Sequence, residues 1–594
     1  MTTISSGWDL GPQVTMNVVL HAIRACLSLA IPFGAVLLGA VALDQGCLKG
    51  SSRSRPSVKE VFAAEMKCDG IADDTDALAS ALRRASESGA QMLIIAAGTC
   101  LLHGGTNIPE NIWVKGAGAS ETTLKRLNKS NTYLLGLNSN DTITDLTLDG
   151  NRLGPNAGSN ILGAASTSLA HVVLTRNTLL NASGCAVGLF LPGSPRPLSS
   201  DILIDQNRFS HNGSAVDNGG TQSGFNGDIC APATVRLRVT NNYSDSGTGD
   251  FVILGTGENA TGVGNVTIDH NEVTSGLGFA VALGGGGPGE AGGTGATISN
   301  NTFSMADSIE NIIDVAYWHD VTVTRNNITT GYTGAGIGDG PPAFGVTATD
   351  NQVQGLGSYV SSVSAASTAS EGKTVYTGIF SPPLRAGYTV TISGFRHRGN
   401  NCTPSAFTPC TIVSGTATTV VVNNARGAAE TRPAHLKLNN FNNWGIALGG
   451  SKVTIARNTI ANTGSAGILI DVGDGPNAAD SVRDNLVSGN SVKSCGQADN
   501  VPGTTAGIAL YVSPSGSNTM SGIVIRGNRA FNEGISTQGY GLAIGSSGSR
   551  KTGFSHITVE GNDFRGNVKG AIQDGVPDAP DVSILNNLGR KKRR

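Results

Sequence analysis

Charge is scarce in this chain: Asp, Glu, Lys and Arg make up 14% of its 594 residues, against about 25% in an average domain. The two signs nearly cancel, leaving a net charge of −2, so no global field draws it to nucleic acid. Aromatic residues are sparse as well, at 5%. No Cys-x-x-Cys pair and no His cluster at zinc-ligand spacing occurs, which excludes the common structural zinc sites and leaves no metal ligand set to name. Low charge and few aromatics do not mean disorder here, because apolar residues reach 39% and 82 glycines punctuate them. That balance belongs to turn-rich β structure.

What the chain has in excess is repetition. Thirteen alternating apolar segments run into an asparagine: Asn151, Asn177, Asn207, Asn242, Asn271, Asn301, Asn326, Asn351, Asn458, Asn490, Asn528, Asn562 and Asn587. Neighbours lie 25 to 38 residues apart, except for a jump of 107 after Asn351. A second alternating segment follows many of them after a Gly-rich turn, as in Gly249–Gly255, Gly278–Gly284 and Ala506–Val512. One such unit cannot bury its apolar face alone, whereas stacked units share a continuous interior. An asparagine at the same bend of each coil can bond its neighbours above and below and satisfy buried turn backbone. The reading is an all-β solenoid of parallel strands. An antiparallel sandwich predicts strands every 8–12 residues but no ladder of one residue type.

The ends suggest export. Ala25–Leu43 is apolar and uncharged, follows Arg24, and closes on Ala40-Val41-Ala42, so residues 1–42 read as a signal peptide, with Met16 an alternative start. An uncleaved anchor is the rival, since 19 residues just span a bilayer; Pro32 argues against it. The expected location is secreted, periplasmic or cell-surface, with no membrane contact after cleavage. Residues 43–56 read as a linker, and 590–594 as a solvated basic tail. Cleavage leaves eight cysteines, an even number that permits disulfides. Cys402 and Cys410, in one loop, form the natural pair, while Cys185 on a strand reads as core.

Residues 68–101 hold the most specific signal. Asp74 or Thr75 can cap a helix with Leu78, Leu82 and Ala85 on one face, ended by Gly89. Such a helix covers the open end of the solenoid. Asp69-Gly70, Asp73-Asp74-Thr75, the helix and the strand ending in Ala97-Gly98-Thr99 resemble the opening of the pectate lyase superfamily, of the pectate-lyase-3 type. Ile112-Trp-Val-Lys-Gly-Ala-Gly resembles that family's next coil. The resemblance covers residues 57–355 and 444–589 and implies a right-handed parallel β-helix. It also implies an exported protein acting on polysaccharides, whether glycosidase, lyase, epimerase, tailspike or binder, and it admits a trimer. The activity motifs do not follow: Gly-His-Gly and Asp-Pro-His are absent, and Asp269-His270 lacks the Arg-x-Pro-x-x-Arg partner of calcium-dependent pectate lyases. No subfamily is supported.

The jump of 107 covers residues 356–443. Ser/Ala-rich 356–372 reads as a linker, and the short alternating segments after it read as a small inserted β domain. Carbohydrate binding, oligomer contact and a passive spacer are its open roles.

Catalytic groups are sought on the strand after each asparagine bend, where outward side chains stack about 4.8 Å apart. Most outward slots hold Ala or Gly; Asp217 and Asp314 break that rule, and Asp250 lies one alternation earlier. These three are the candidate catalytic carboxylates for an acid/base hydrolysis of an extended glycan. Asp228, Tyr317, Trp318, His319 and Asp339 are the candidate substrate-binding residues, the aromatics as sugar platforms. A lyase on a uronate polymer is the alternative and alone would call for calcium or another positive charge; hydrolysis needs no cofactor. A non-catalytic surface solenoid is the second alternative, favoured by the Ala/Gly-rich outward face.

Overall fold

The structure, a computed structural model, describes residues 58–589 apart from 128–132, 153–159, 168, 192–196, 214–225, 246–248, 256–261, 285–291, 307, 309, 332, 340–342, 358–359, 382, 385, 405–409, 440–441, 473–480, 498–505, 513–517, 535–536, 546–552, 578 and 580. The signal-peptide, linker and basic-tail readings, and the candidate Asp217, lie outside the described residues. Among the described residues no helix is long and apolar enough to cross a membrane.

Each coil lays down three short strands, one in each of three long parallel sheets of 17, 14 and 14 strands. One coil shows the plan: Thr234–Thr240 in the first sheet, Tyr243–Ser244 in the second and Asp250–Ile253 in the third. Successive coils stack in register, Ile204 on Val239, Val239 on Ile268 and Ile268 on Ile298. All four are fully buried, and each buried aliphatic side chain of this kind contributes roughly 1.5–3 kcal/mol. The fold is a right-handed parallel β-helix, the hand that parallel crossovers adopt almost without exception.

Between the first and second sheets runs the asparagine ladder. Asn271 is typical: its N–H and its Nδ2 both donate to Asn301 Oδ1, at 2.8 and 3.0 Å, and Nδ2 also donates to the Val239 carbonyl one coil back. The pattern runs from Asn177 to Asn587. Asn151 is a correction: it follows the second-sheet strand Thr147–Asp149 and donates to the Arg126 carbonyl. Leu146 holds the ladder position in that coil, its N–H aimed at Asn177 Oδ1. The residue before each ladder asparagine turns left-handed, as at Asn241, His270 and Asn300, all with φ of 54°. Where that residue is arginine it reaches back one coil, Arg176 to Asp145 and Arg457 to Asp350.

The N-terminal helix, Thr75–Glu87, buries Leu78, Ala81, Leu82 and Ala85. Asp74 sits at its N-cap without capping it; the carboxylate instead accepts the N–H groups of Lys67 and Cys68. Cys68 is bonded to Cys100, and Cys402 to Cys410. Cys185 is bonded to Cys230 and is not a free core thiol; among the described residues Cys495 is the free one, and it is buried.

The jump of 107 is a single coil. Asn351 and Asn458 are direct ladder neighbours, with Nδ2 to Oδ1 at 3.0 Å. The excursion leaves after the second-sheet strand Gln352–Gln354 and returns at the third-sheet strand Asn442–Ala447. Within it six antiparallel strands, from Val360–Ala366 to Glu430–Leu438, form one sheet. The outer strands of that sheet meet through Gly387 N–H to Ile412 O, Ile412 N–H to Tyr388 O and Val390 N–H to Cys410 O, which closes a small barrel. Tyr376, Phe380, Ile392 and Leu436 fill it. Residues 360–366 are therefore a strand and not a linker: Ser361 and Val363 are buried while Ser362 and Ser364 are exposed, the alternation of a half-buried strand carried on small residues.

Candidate functional site

The third sheet carries the acids. Its strands keep one file in the core: Val187, Ile229, Val252, Val281, Ile313 and Ile337, all fully buried. The next residue of each strand turns to the outer face, giving Gly188, Cys230, Ile253, Ala282, Asp314 and Gly338 in register. The Cys185–Cys230 disulfide crosses that outer face one coil before Asp250.

Asp314 ends the strand Ile313–Asp314 and is 8% exposed. Asn311 holds it: Asn311 Nδ2 donates to Asp314 Oδ1 at 3.0 Å, while Asn311 Oδ1 accepts the Ala335 N–H at 2.8 Å. This clamp requires Gly338 above it, since a Cβ there would come within 2.6 Å of the Asn311 side chain. Asp250 opens its strand, is 1% exposed and accepts the Phe279 N–H at 2.8 Å. Burial first, and then the charges of Glu310 and Asp228, push its carboxyl up to about 7.

Glu310 is the residue that sequence reasoning missed. Half-buried, it stands within electrostatic reach of Asp250 and of Asp314. Burial and the Asp314 charge hold its carboxyl above the ordinary range. Its signal was faint, because it lies in the approach Ser308–Asn311, ahead of the strand on which acids were sought. Asp339 lies one coil on, its carboxylate accepting the N–H groups of Gly449 at 2.7 Å and Ala343 at 3.1 Å. Burial, with Asp471 and Asp314 adding to it, keeps Asp339 well above its usual range. Asp471, on Ile468–Val472, is pushed up by burial too.

Other expected site residues go elsewhere. Asp228 is fully buried and turned inward, hydrogen-bonded to Asn212 Nδ2 at 2.9 Å and to the buried Ser244 hydroxyl. It shares the inward corner file with Ala186 and Phe251. Trp318 is no sugar platform: it is 0% exposed, against the backbone of Gly293. A bulky apolar residue at a coil corner is drawn into the core. Tyr317 beside it is left-handed, with φ of 62°. His319 opens a first-sheet strand and leans on Phe344 at 5.6 Å, away from the acids. Asp250 and Asp314 are two coils apart, and Glu310 interacts electrostatically with both. Further along the same outer face Leu469, Ala466 and Ala509 form an apolar strip with half-buried Trp444 and Tyr511.

No protein-family model matches the chain, and no curated protein matches it. Solved structures do. The A-module of the Azotobacter vinelandii mannuronan C-5 epimerase AlgE6 is 12% identical over 89% of this chain and 100% of that one, with a TM-score of 0.34. The Streptococcus pneumoniae surface adhesin PfbA is 14% identical over 86% and 91%, with a TM-score of 0.41. The Dettilon tailspike protein is 12% identical over 88% and 70%, with a TM-score of 0.40. At such distances no residue role transfers, and the site stands on its own geometry.

Proposed function

We propose that the outer face of the third sheet is the active face of an exported enzyme that cleaves an extended polysaccharide by carboxylate acid/base hydrolysis. One observation carries this reading: Glu310, on the same coil as Asp314, is within electrostatic reach of both Asp250 and Asp314, and both it and Asp250 are held above the ordinary carboxyl range. A carboxyl held above its ordinary range is the better proton donor to a leaving glycosidic oxygen. Glu310 is the more accessible of the two raised groups and takes that role. Asp314, oriented by Asn311, serves as base or nucleophile across the bond. Asp250, fully buried two coils before Asp314, is a positioning residue. The strip of Trp444, Leu469 and Tyr511 offers apolar surface for sugar faces along the same file of strands. That strip also favours the second reading, a glycan-binding solenoid without catalysis.

Purified protein on a polysaccharide panel decides among these. The expected outcome is new reducing ends without absorbance near 235 nm, cut by about 10²-fold or more in Glu310→Gln and Asp314→Asn with unchanged melting. Absorbance at 235 nm would instead identify a lyase. Binding without any new ends would leave the second reading.

A further inference from the structure

The inserted barrel differs in charge from the rest of the chain. Residues 356–443 hold seven Lys and Arg against two Glu and no Asp, in a protein whose net charge is −2. Four of the seven, Arg396, Arg398, Arg426 and Arg432, gather at one end of the barrel. Arg396, His397 and Arg398 lie on one exposed turn, and Arg426 on a second. The turns touch: a Cβ on Gly399 would sit 2.0 Å from the Arg426 carbonyl oxygen. Arg432, exposed on the strand Glu430–Leu438, adds to the group and acts electrostatically on Glu430.

Glu430 offsets one of the four arginine charges without forming an ion pair, leaving the group net positive. Its oxygens accept the backbone N–H groups of Arg396 and His397 at 2.9 and 3.0 Å and Asn400 Nδ2 at 2.9 Å. Among the described residues no Lys or Arg of the barrel forms an ion pair, whereas the solenoid pairs Arg176 with Asp145, Arg236 with Asp201 and Arg457 with Asp350. Like charges placed together with too few counter-charges oppose folding slightly and favour an anionic ligand.

We infer that this end of the barrel binds a polyanionic polysaccharide, through guanidinium contacts to its carboxylate or sulfate groups. The cations stand on neighbouring exposed turns and do not converge in a cavity, which suits a chain of repeated anions better than a single small one. Single-stranded nucleic acid is bound by pairing cations with exposed aromatic platforms, and the nearest rings, Phe395 and Tyr376, are buried. A membrane surface asks for apolar side chains beside the cations. The basic end, where Thr374 abuts Gly427, offers one partly exposed apolar side chain, Val375 at 36%, while Ile379 at 77% follows the far end of the same strand, so no apolar face accompanies the cations. The inference is independent of whether the solenoid is catalytic.

Affinity electrophoresis of the full chain tests it, with polygalacturonate, dextran sulfate and neutral dextran as probes, and duplex DNA and phosphatidylglycerol vesicles as competitors. Retardation by an anionic glycan, absent with dextran and fading as salt rises, is expected. The triple variant Arg396→Gln, Arg398→Gln and Arg426→Gln should weaken it about tenfold or more, and the corresponding Lys variant should keep most of it. Preference between polygalacturonate and dextran sulfate tells carboxylate from sulfate recognition. Retention by Glu310→Gln separates this site from the proposed active face. Failure to bind either anionic glycan, full binding by the triple Arg→Gln variant, or tighter binding to DNA or vesicles would overturn the inference. Unchanged melting of the Gln variant shows that charge, not folding, was removed.

Discussion

A ladder asparagine does more than a turn asparagine because its side chain serves three coils at once. Asn301 Oδ1 accepts two bonds from Asn271, while its Nδ2 donates to the Ile268 carbonyl and to Asn326 Oδ1. Asn301→Ala strands buried donors and acceptors on both sides and should cost about 3 kcal/mol. Asn151→Ala, off the ladder and partly exposed, should cost well under half of that; equal losses on chemical denaturation would deny the ladder its role. The two asparagines look alike in sequence, since each follows an alternating segment. What separates them is the phase of the coil, which only the pairing of Leu146 with Asn177 reveals. The same limit explains Trp318, whose direction at a corner depends on where the coil turns and not on its neighbours in the chain.

Elements were more legible than side-chain destinations. Alternation and spacing suffice for the strands and for their parallel stacking, because a period-two pattern fixes which face is buried. The helix was equally plain, and its buried Leu78, Ala81, Leu82 and Ala85 follow the expected stripe. Leu82→Asp places a charge on a helix face that is otherwise fully covered. It should lower the melting temperature and promote aggregation by uncovering the first coil, as light scattering on heating would show; a soluble variant with wild-type melting would refute this role. The site was only half legible. Asp250 and Asp314 could be named from strand phase, but Glu310 lies in an irregular approach where periodicity says nothing. The barrel's closure was hidden for a similar reason, since it rests on backbone bonds between Gly387–Val390 and Cys410–Ile412.

At the scale of the whole molecule, buried carboxyls make stability depend on pH. Asp250 rises to about 7 and Asp141 to about 8, in both cases chiefly by burial. The folded state therefore holds protons that the unfolded chain has released above about pH 4. Stability falls as pH rises through that window. Asp145, Asp201 and Asp350, held low by arginine partners, act in the opposite sense below it. The melting temperature should thus be higher at pH 5 than at pH 8, and Asp141→Asn should flatten the difference; a flat or rising profile would refute this assignment. The direct bond between Asn351 and Asn458 bears on how the chain is joined. The 107-residue tether adds only about 1 kcal/mol of closure entropy over an ordinary coil, so cohesion across that joint comes from stacking and not from covalent continuity. Chain termini could be relocated into the barrel, or the protein expressed as two complementing fragments split there, with the cylinder reassembling around the seam.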